Sequence, residues 1–290
     1  MLQQWTVLSL LEWGTAYLAE RGFGEPRLHV ELLLAAVLRI GRLDLYLQFD
    51  RPLLPEELAS FKTLFRRRLT HEPLQYILGE TEFMGLPFAV NPGVLIPRPE
   101  TEILVEKALE VIRGIGNLPV TVADVGTGSG NIAIAIAHLA PATRVTAVDL
   151  SPDALATAAA NCTRNQVSNV QLEQADIFAD AFGTRTFDII LANPPYVALE
   201  EFGQLQEEVR VYEPRMATTD EGNGYRFIER IVSVASVKLN PGGWLFMEIG
   251  FGQAEEVRRM ALAAGLAVEN LYPDYSGIPR VLAARRKGGT

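Results

Sequence analysis

Cysteine occurs once in the 290 residues, at Cys162, so no disulfide can form within the chain. The sequence also lacks a secretory-type apolar start, and the two absences together point to a reducing, cytoplasmic setting. Cys162 sits in a helical stretch with no histidine near it in sequence, and is expected to pack rather than react. Histidine is scarce too: His29, His71 and His138 are scattered without metal-ligand spacing. No apolar run reaches the roughly 18 residues of a membrane span, so no membrane partner is expected. Basic residues are the minority charge, 26 Lys and Arg against 35 Asp and Glu, leaving a net charge of -9. Phosphate binding needs clustered Lys and Arg, so no stable nucleic-acid partner is expected. The only dense basic runs, Arg66-Arg67-Arg68 and Arg285-Arg286-Lys287, read as a solvated helix face and a solvated tail.

What the chain does have is the apolar content for a sizeable core, 48% hydrophobic against 21% charged, in a length that suits one large domain or two ordinary ones. The residues up to about 75 read as helix. Leu8, Leu11, Tyr17 and Leu18 fall roughly at helical spacing, as do Val30, Leu33, Leu34, Val37 and Leu38. Pro55-Glu56-Glu57 looks like the first turn of a further helix, with Leu58, Phe61, Leu64 and Phe65 inward. The expected organisation is a helical domain over residues 1–78 that recognises substrate, a hairpin and linker over 79–99, and a catalytic domain over 100–290. From Val120 onward, strands and helices alternate. Such alternation implies parallel strands with crossover helices, hence an α/β doubly wound, Rossmann-like sheet. Ligands in such sheets bind beyond the carboxyl ends of the strands, and the motifs below sit there.

The first motif, Asp124-Val125-Gly126-Thr127-Gly128-Ser129-Gly130, follows one strand and opens a helix. Its glycines permit a tight turn and close backbone approach, and exposed helix-start N–H groups favour an anionic group. Asp149, followed by Leu150, ends the next strand and can accept hydrogen bonds from two ribose hydroxyls. Both a nicotinamide dinucleotide and S-adenosyl-L-methionine suit this much. Two details favour the second. Asp124 could face an ammonium but would repel a pyrophosphate. A third strand ends in Asp176-Ile177-Phe178, where the acid can accept from an adenine amino group and Ile177 or Phe178 can cover the ring. The plainer reading is that Asp124 and Asp149 cap neighbouring helices and that Phe178 is core.

The second motif is Asn193-Pro194-Pro195-Tyr196, after the apolar strand at 187–192. Proline has no backbone N–H, so this turn offers carbonyl oxygens, and the Asn193 side chain adds another. An acceptor-rich slot suits a planar NH₂. Gripping both hydrogens of an amide or arylamine orients a weak nucleophile and favours charge developing on its nitrogen. Tyr196 would wall the slot. The plainer reading is a rigid turn.

These motifs together resemble the amino-methyltransferase branch of class I S-adenosylmethionine-dependent enzymes. Ile96-Pro97-Arg98-Pro99-Glu100-Thr101-Glu102, and the helical segment before it with Glu72-Pro73-Leu74-Gln75-Tyr76-Ile77 and Gly79 at its junction, narrow the resemblance. The whole is similar to the peptide chain release factor glutamine methyltransferase (HemK) family over nearly the full chain. The resemblance implies N5-methylation of the glutamine in the Gly-Gly-Gln loop of class I peptide chain release factors. It implies cofactor contacts from Gly126 to Gly130, Asp149 and Asn193, and a grip on the glutamine amide from Asn193 to Tyr196. Ile177 departs from members that carry Trp there. Two alternatives share the pocket, methylation of a ribosomal protein glutamine or of adenine in nucleic acid. Two do not: a nicotinamide dehydrogenase, and a module that binds the cofactor without turnover. Arg98, Glu100 and Glu102 either order a pocket lid or form an ion pair at a domain hinge. The 197–224 segment is read as a substrate-facing flap, against an ordinary surface excursion.

Overall fold

A computed structural model describes residues 4–116 and 119–288, so the outermost residues of the expected 1–78 and 100–290 segments lie outside it. The chain divides into two compact units, Met1–Gly79 and Glu80–Thr290.

The first unit is helical: α1 (Val7–Ala19), α2 (Pro26–Leu38), a 3₁₀ turn at Arg42–Leu47, α3 (Pro55–Leu69) and α4 (Leu74–Leu78). The starts of α1, α2 and α3 have local causes. Thr6 and Ser9 cap α1 reciprocally, the Ser9 N–H donating to Thr6 Oγ1 and the Thr6 N–H to Ser9 Oγ at 2.8 Å. Pro26 and Pro55 open α2 and α3, where the missing N–H costs nothing. Leu11, Leu18, Val30, Leu33, Leu34, Phe61 and Phe65 form its core, while Leu58 and Leu64 pack at the edge. The basic run at 66–68 is solvated at Arg66 but not at Arg68. Arg68 is buried, donates to the Glu72 carbonyl and stacks over Phe23, and Arg67 pairs with Glu72. Its last-turn position lets Arg68 lay its long stem across the core while its head finds a carbonyl.

The second unit opens with an antiparallel hairpin, β1 (Glu80–Phe83) and β2 (Leu86–Ala89), then α5 (Pro99–Ile115). The hairpin expected with a linker is tied into this unit by its backbone: Ala89 exchanges hydrogen bonds with the Asn161 side chain. Then follow β3 (Thr121–Val125), α6 (Asn131–Leu139), β4 (Arg144–Asp149), α7 (Pro152–Arg164), β5 (Val170–Gln174) and β6 (Phe187–Ala192). Three short helices, α8 (Leu199–Phe202), α9 (Glu207–Tyr212) and α10 (Arg215–Thr218), precede α11 (Arg226–Lys238). The chain ends with β7 (Leu239–Glu248), α12 (Ala254–Ala263), β8 (Leu266–Pro273) and β9 (Pro279–Arg286).

The sheet order is β5-β4-β3-β6-β7-β9-β8. Strands β3 to β7 are parallel, and the chain reverses its winding between β3 and β6, where Val125 pairs with Ala192. Alternate strand residues feed two cores. Val122, Ile189 and Leu191 meet α5 and α6, whereas Ala123, Val125, Ile190 and Ala192 meet α11 and α12. Burial on both faces explains why β6 is apolar throughout save Asp188. The last pair departs from the parallel pattern: β9 runs antiparallel to β7 and β8. Asp274 closes a turn too short for a crossover helix, accepting from the Ser276 and Ile278 amides. The basic run at 285–287 is therefore no tail at its start: Arg285 donates to the Gly242 carbonyl and Arg286 to those of Val237 and Leu239. Cys162 is half-buried on α7 against the core, and burial pushes its thiol up. Among the described residues, no helix is long and apolar enough to cross a membrane.

Candidate active site

The winding reversal between β3 and β6 opens a cavity of about 590 Å³ at the carboxyl ends of the strands. That size is within the ordinary range for a small-molecule site. Its wall contains Gly126, Thr127, Gly128 and Ser129 after β3, Asp149 and Leu150 after β4, Asp176, Ile177 and Phe178 after β5, and Asn193, Pro194 and Pro195 after β6. Asp124, Gly130 and Tyr196, also expected at the site, stand behind the wall.

Gly126, Gly128 and Gly130 all adopt positive φ, 73°, 55° and 82°, in the region that disfavours side chains. At Gly130 there is also no space. A Cβ there would sit 2.9 Å from Ile134 and 3.1 Å from Ala158, so this glycine lets α6 start hard against α7. Asp149 shapes the loop with both oxygens, Oδ2 accepting from the Gly128 amide at 2.8 Å and Oδ1 from the Ser151 amide at 2.9 Å. An ionised carboxylate has about four acceptor sites, so capacity remains for ligand hydroxyls.

Asp124 lies beneath this loop. It is fully buried and accepts from the Thr127 hydroxyl at 2.6 Å. Its Oδ1 has no hydrogen-bond partner among the described residues. Burial pushes the carboxyl up to about 7, the Thr127 hydroxyl and Ala133 amide pull it back, and the Asp149 charge adds a smaller upward push.

At the far end, Asp176 Oδ1 accepts from the Phe178 amide. Ile177 is buried within the core, so its side chain reaches the cavity from below. Phe178 meets Phe227 edge-on at 5.1 Å, and the Arg226 guanidinium lies 4.6 Å from its ring centre. The half-exposed Leu150 adds another apolar surface. The result is an apolar slot with an acid at its edge.

The 193–196 turn rests on a buried chain of hydrogen bonds. Asn193 Nδ2 donates to Thr101 Oγ1 at 3.0 Å. The Thr101 hydroxyl donates to Glu248 Oε2 at 2.6 Å, and the Tyr196 hydroxyl to Glu248 Oε1 at 3.0 Å. Burial pushes the Glu248 carboxyl up, while the two hydroxyls pull it back. Tyr196 titrates well above its ordinary range, first from burial and then from the Glu248 charge. Tyr196 thus faces Glu248 rather than the cavity wall. With the Asn193 NH₂ engaged by Thr101, its Oδ1 is left for a ligand. Gln253 clips the exit of the turn, its NH₂ donating to the Tyr196 and Gly224 carbonyls.

The ambiguous 96–102 stretch has separate tasks. Arg98 pairs with the buried Glu213 at 2.5 Å, within the second unit, and the Ile96 amide donates to the same carboxylate. Since residues 93–98 and 214–217 both line the cavity, Glu213 joins two edges of its mouth. Glu102 accepts from the Met84 amide and so fixes the hairpin turn. Sequence reasoning missed Glu213, Glu248, Asp220 and Asn161. Asp220, buried at the wall, accepts from the Gly222, Gly224 and Arg226 amides and so folds the end of the 197–224 segment. Asn161 follows a helical pattern like any neighbour, and nothing local marks it.

Comparison with known proteins agrees with this layout. The PrmC N-terminal domain family matches residues 9–79, and a methyltransferase domain family matches residues 122–214. A release factor glutamine methyltransferase from Geobacter sulfurreducens is 44% identical over 97% of this chain and 97% of its own. One from Chlorobaculum tepidum is 43% identical, over 96% and 97%. A crystal structure of a methyltransferase from Pyrococcus furiosus matches at a TM-score of 0.51 and 17% identity, covering 79% of this chain and 98% of that one, a likeness of fold alone.

Proposed function

The chain belongs to the family of release factor glutamine methyltransferases, and from that membership we propose that it methylates N5 of the glutamine in the Gly-Gly-Gln loop of class I peptide chain release factors, with S-adenosylmethionine as donor. The observation that carries the reading is Asn193 at the cavity wall, its NH₂ held by Thr101 and its Oδ1 left over, followed by two prolines without N–H groups.

The cavity fits the cofactor. Gly126 to Ser129 would hold its methionine end without Cβ interference, and Asp149 would accept from the ribose hydroxyls. Asp176, Ile177, Phe178 and Leu150 would edge and cover the adenine, with Phe178 and Phe227 supplying aromatic surface where Ile177 supplies little. Asp124 would act from beneath, through Thr127, and Gly130 through packing of α6 on α7. When bound, S-adenosylmethionine supplies a methyl group on an electrophilic sulfonium.

This chain's residues do the remainder. Asn193 Oδ1 and the Pro194 carbonyl accept the two hydrogens of the substrate amide. They orient its nitrogen and favour the positive charge that grows there in the transition state. Pro195 keeps the turn rigid, and Tyr196 anchors it to Glu248. No base is required before transfer, because the proton leaves the nitrogen afterwards. Residues 197–224 would face the substrate, since Pro214 to Ala217 already line the mouth, and the helical unit would recognise the release factor.

Adenine methylation would use the same grip but needs a basic track. Here Arg98 and Arg215 at the cavity wall pair with Glu213 and Glu221, and Arg226 stacks on Phe178. The test is labelled S-adenosylmethionine with a class I release factor, the same factor with the Gly-Gly-Gln glutamine replaced, a glutamine-bearing ribosomal protein, and adenine-rich DNA. Methyl on that one glutamine, absent from the replaced factor, is expected by mass spectrometry of peptides. Label on DNA or the ribosomal protein alone would overturn the substrate.

A further inference from the structure

Asn193 sits at the substrate end of the site, and an asparagine amide is nearly symmetric in shape. Turned over, it would offer a substrate NH₂ two donors instead of an acceptor, and the grip would become a repulsion. Something must therefore set its orientation. The turn itself does not, because Pro194 and Pro195 carry no N–H to hold Asn193 Oδ1 in either place.

We infer that Thr101 and Glu248 are positioning residues that fix which face of the Asn193 amide meets the substrate. Burial pushes the Glu248 carboxyl up and the two hydroxyls that donate to it pull it back toward the ionised form; in that form it only accepts, from Thr101 on one oxygen and from Tyr196 on the other. The Thr101 hydroxyl has a single hydrogen, and the 2.6 Å bond to Glu248 commits it. What Thr101 turns toward Asn193 is then a lone pair, which only the NH₂ can meet, at 3.0 Å. The Asn193 carbonyl is left directed away, toward the ligand. The chain is sheltered from competing water, since Thr101 and Glu248 are each 1% exposed. In that low-dielectric setting a hydrogen bond to a charged partner outweighs a neutral one.

Thr101 borders the cavity and Glu248 stands behind it, and both act on the substrate amide through Asn193. The same carboxylate also holds Tyr196, so Glu248 fixes both ends of the four-residue turn. Placing a glutamine at 248 would break the polarity with almost no change in shape. Its NH₂ can donate to Thr101, whose hydrogen is then free to point at Asn193 Oδ1. The amide would flip in part of the population.

This inference rests on the grip on the substrate amide assigned to Asn193, and the experiment separates the two. The full chain would be made as Thr101→Val, Thr101→Ser, Glu248→Gln and Asn193→Ala. Turnover and KM would be measured with a class I release factor, and S-adenosylmethionine affinity by calorimetry. The Asn193 side-chain NH₂ signals would be followed by ¹⁵N NMR, assigned by their loss in Asn193→Ala. Thr101→Val and Glu248→Gln are expected to lower kcat by about 100-fold, as when a transition-state hydrogen bond is lost. Cofactor affinity should stay within about threefold, because only an interaction strengthened in the transition state is removed. Thr101→Ser should restore both kcat and the wild-type NH₂ shifts. Near wild-type kcat in Glu248→Gln, or equal damage in Thr101→Ser and Thr101→Val, would overturn the inference. If Thr101→Val fails to fold, the near-isosteric Glu248→Gln carries the test alone. An inactive wild type would sink the substrate reading instead, while unmoved NH₂ shifts in Glu248→Gln would still overturn the orientation argument.

Discussion

At the scale of single residues, Asp124 shows how a site can be built on a group that is costly to bury. Its carboxyl is fully enclosed, one oxygen is satisfied by Thr127, and the other has no partner among the described residues. Unfolded, such a carboxyl titrates near its ordinary 3.8, whereas folded it titrates near 7. Between those values the folded chain keeps a proton that the unfolded chain has lost. Stability without ligand therefore falls as pH rises from about 4 to about 7, and the loss is complete above that window. Asn at 124 removes the titration while keeping the size. Urea unfolding of wild type and Asp124→Asn at pH 5 and pH 8 should show wild type losing ground to the variant, by on the order of 1–4 kcal/mol. A difference that does not change with pH would mean that the folded protein holds the carboxylate ionised throughout.

At the scale of elements, the glycine loop depends on a residue one helix away. The Asn161 side chain, fully buried on α7, accepts from the Ala89 amide and donates to the Ala89 and Ser129 carbonyls. One amide thus joins β2, α7 and the loop after β3. Asn161→Ala would strand three backbone groups, and a cost of about 2–4 kcal/mol is expected. Because Ser129 lines the cavity, S-adenosylmethionine affinity should drop as well. Calorimetric titration would check this, and unchanged affinity in a destabilised variant would confine Asn161 to the fold. The sequence could not announce this residue. The strand-end motifs were legible because strand, glycine loop and helix are neighbours along the chain, as are Asn193 and the apolar strand before it. Asn161, Thr101, Glu248 and Glu213 earn their roles through partners 72, 92, 147 and 117 positions away. No local pattern carries such pairings. The buried Arg68 and the strand-bound Arg285 and Arg286 were misread for the same reason: a basic run looks solvated until the carbonyls it reaches are known. The antiparallel β8–β9 pair hid because periodicity marks a strand but not its direction.

At the scale of the whole molecule, the cavity wall comes from segments spread from Gly93 to Ile231, all within the second unit. No single element forms the site. The wall includes the 93–98 stretch, four strand ends, α10 and the start of α11. A ligand held by all of them favours the state in which they are together, and unfolding must release it. By mass action, a cofactor at 100 times its Kd stabilises the folded state by about 2.7 kcal/mol. For a unit of this size each kcal/mol moves the midpoint by about 2–4 °C, so S-adenosylmethionine should raise it by about 5–10 °C. The same titration with a nicotinamide dinucleotide should raise it little, because Asp124 lies beneath the glycine loop where a pyrophosphate would sit. Scanning calorimetry with each ligand makes the comparison. A shift with the dinucleotide and none with S-adenosylmethionine would mean that this cavity, despite its Asn193 turn, is shaped for a different cofactor.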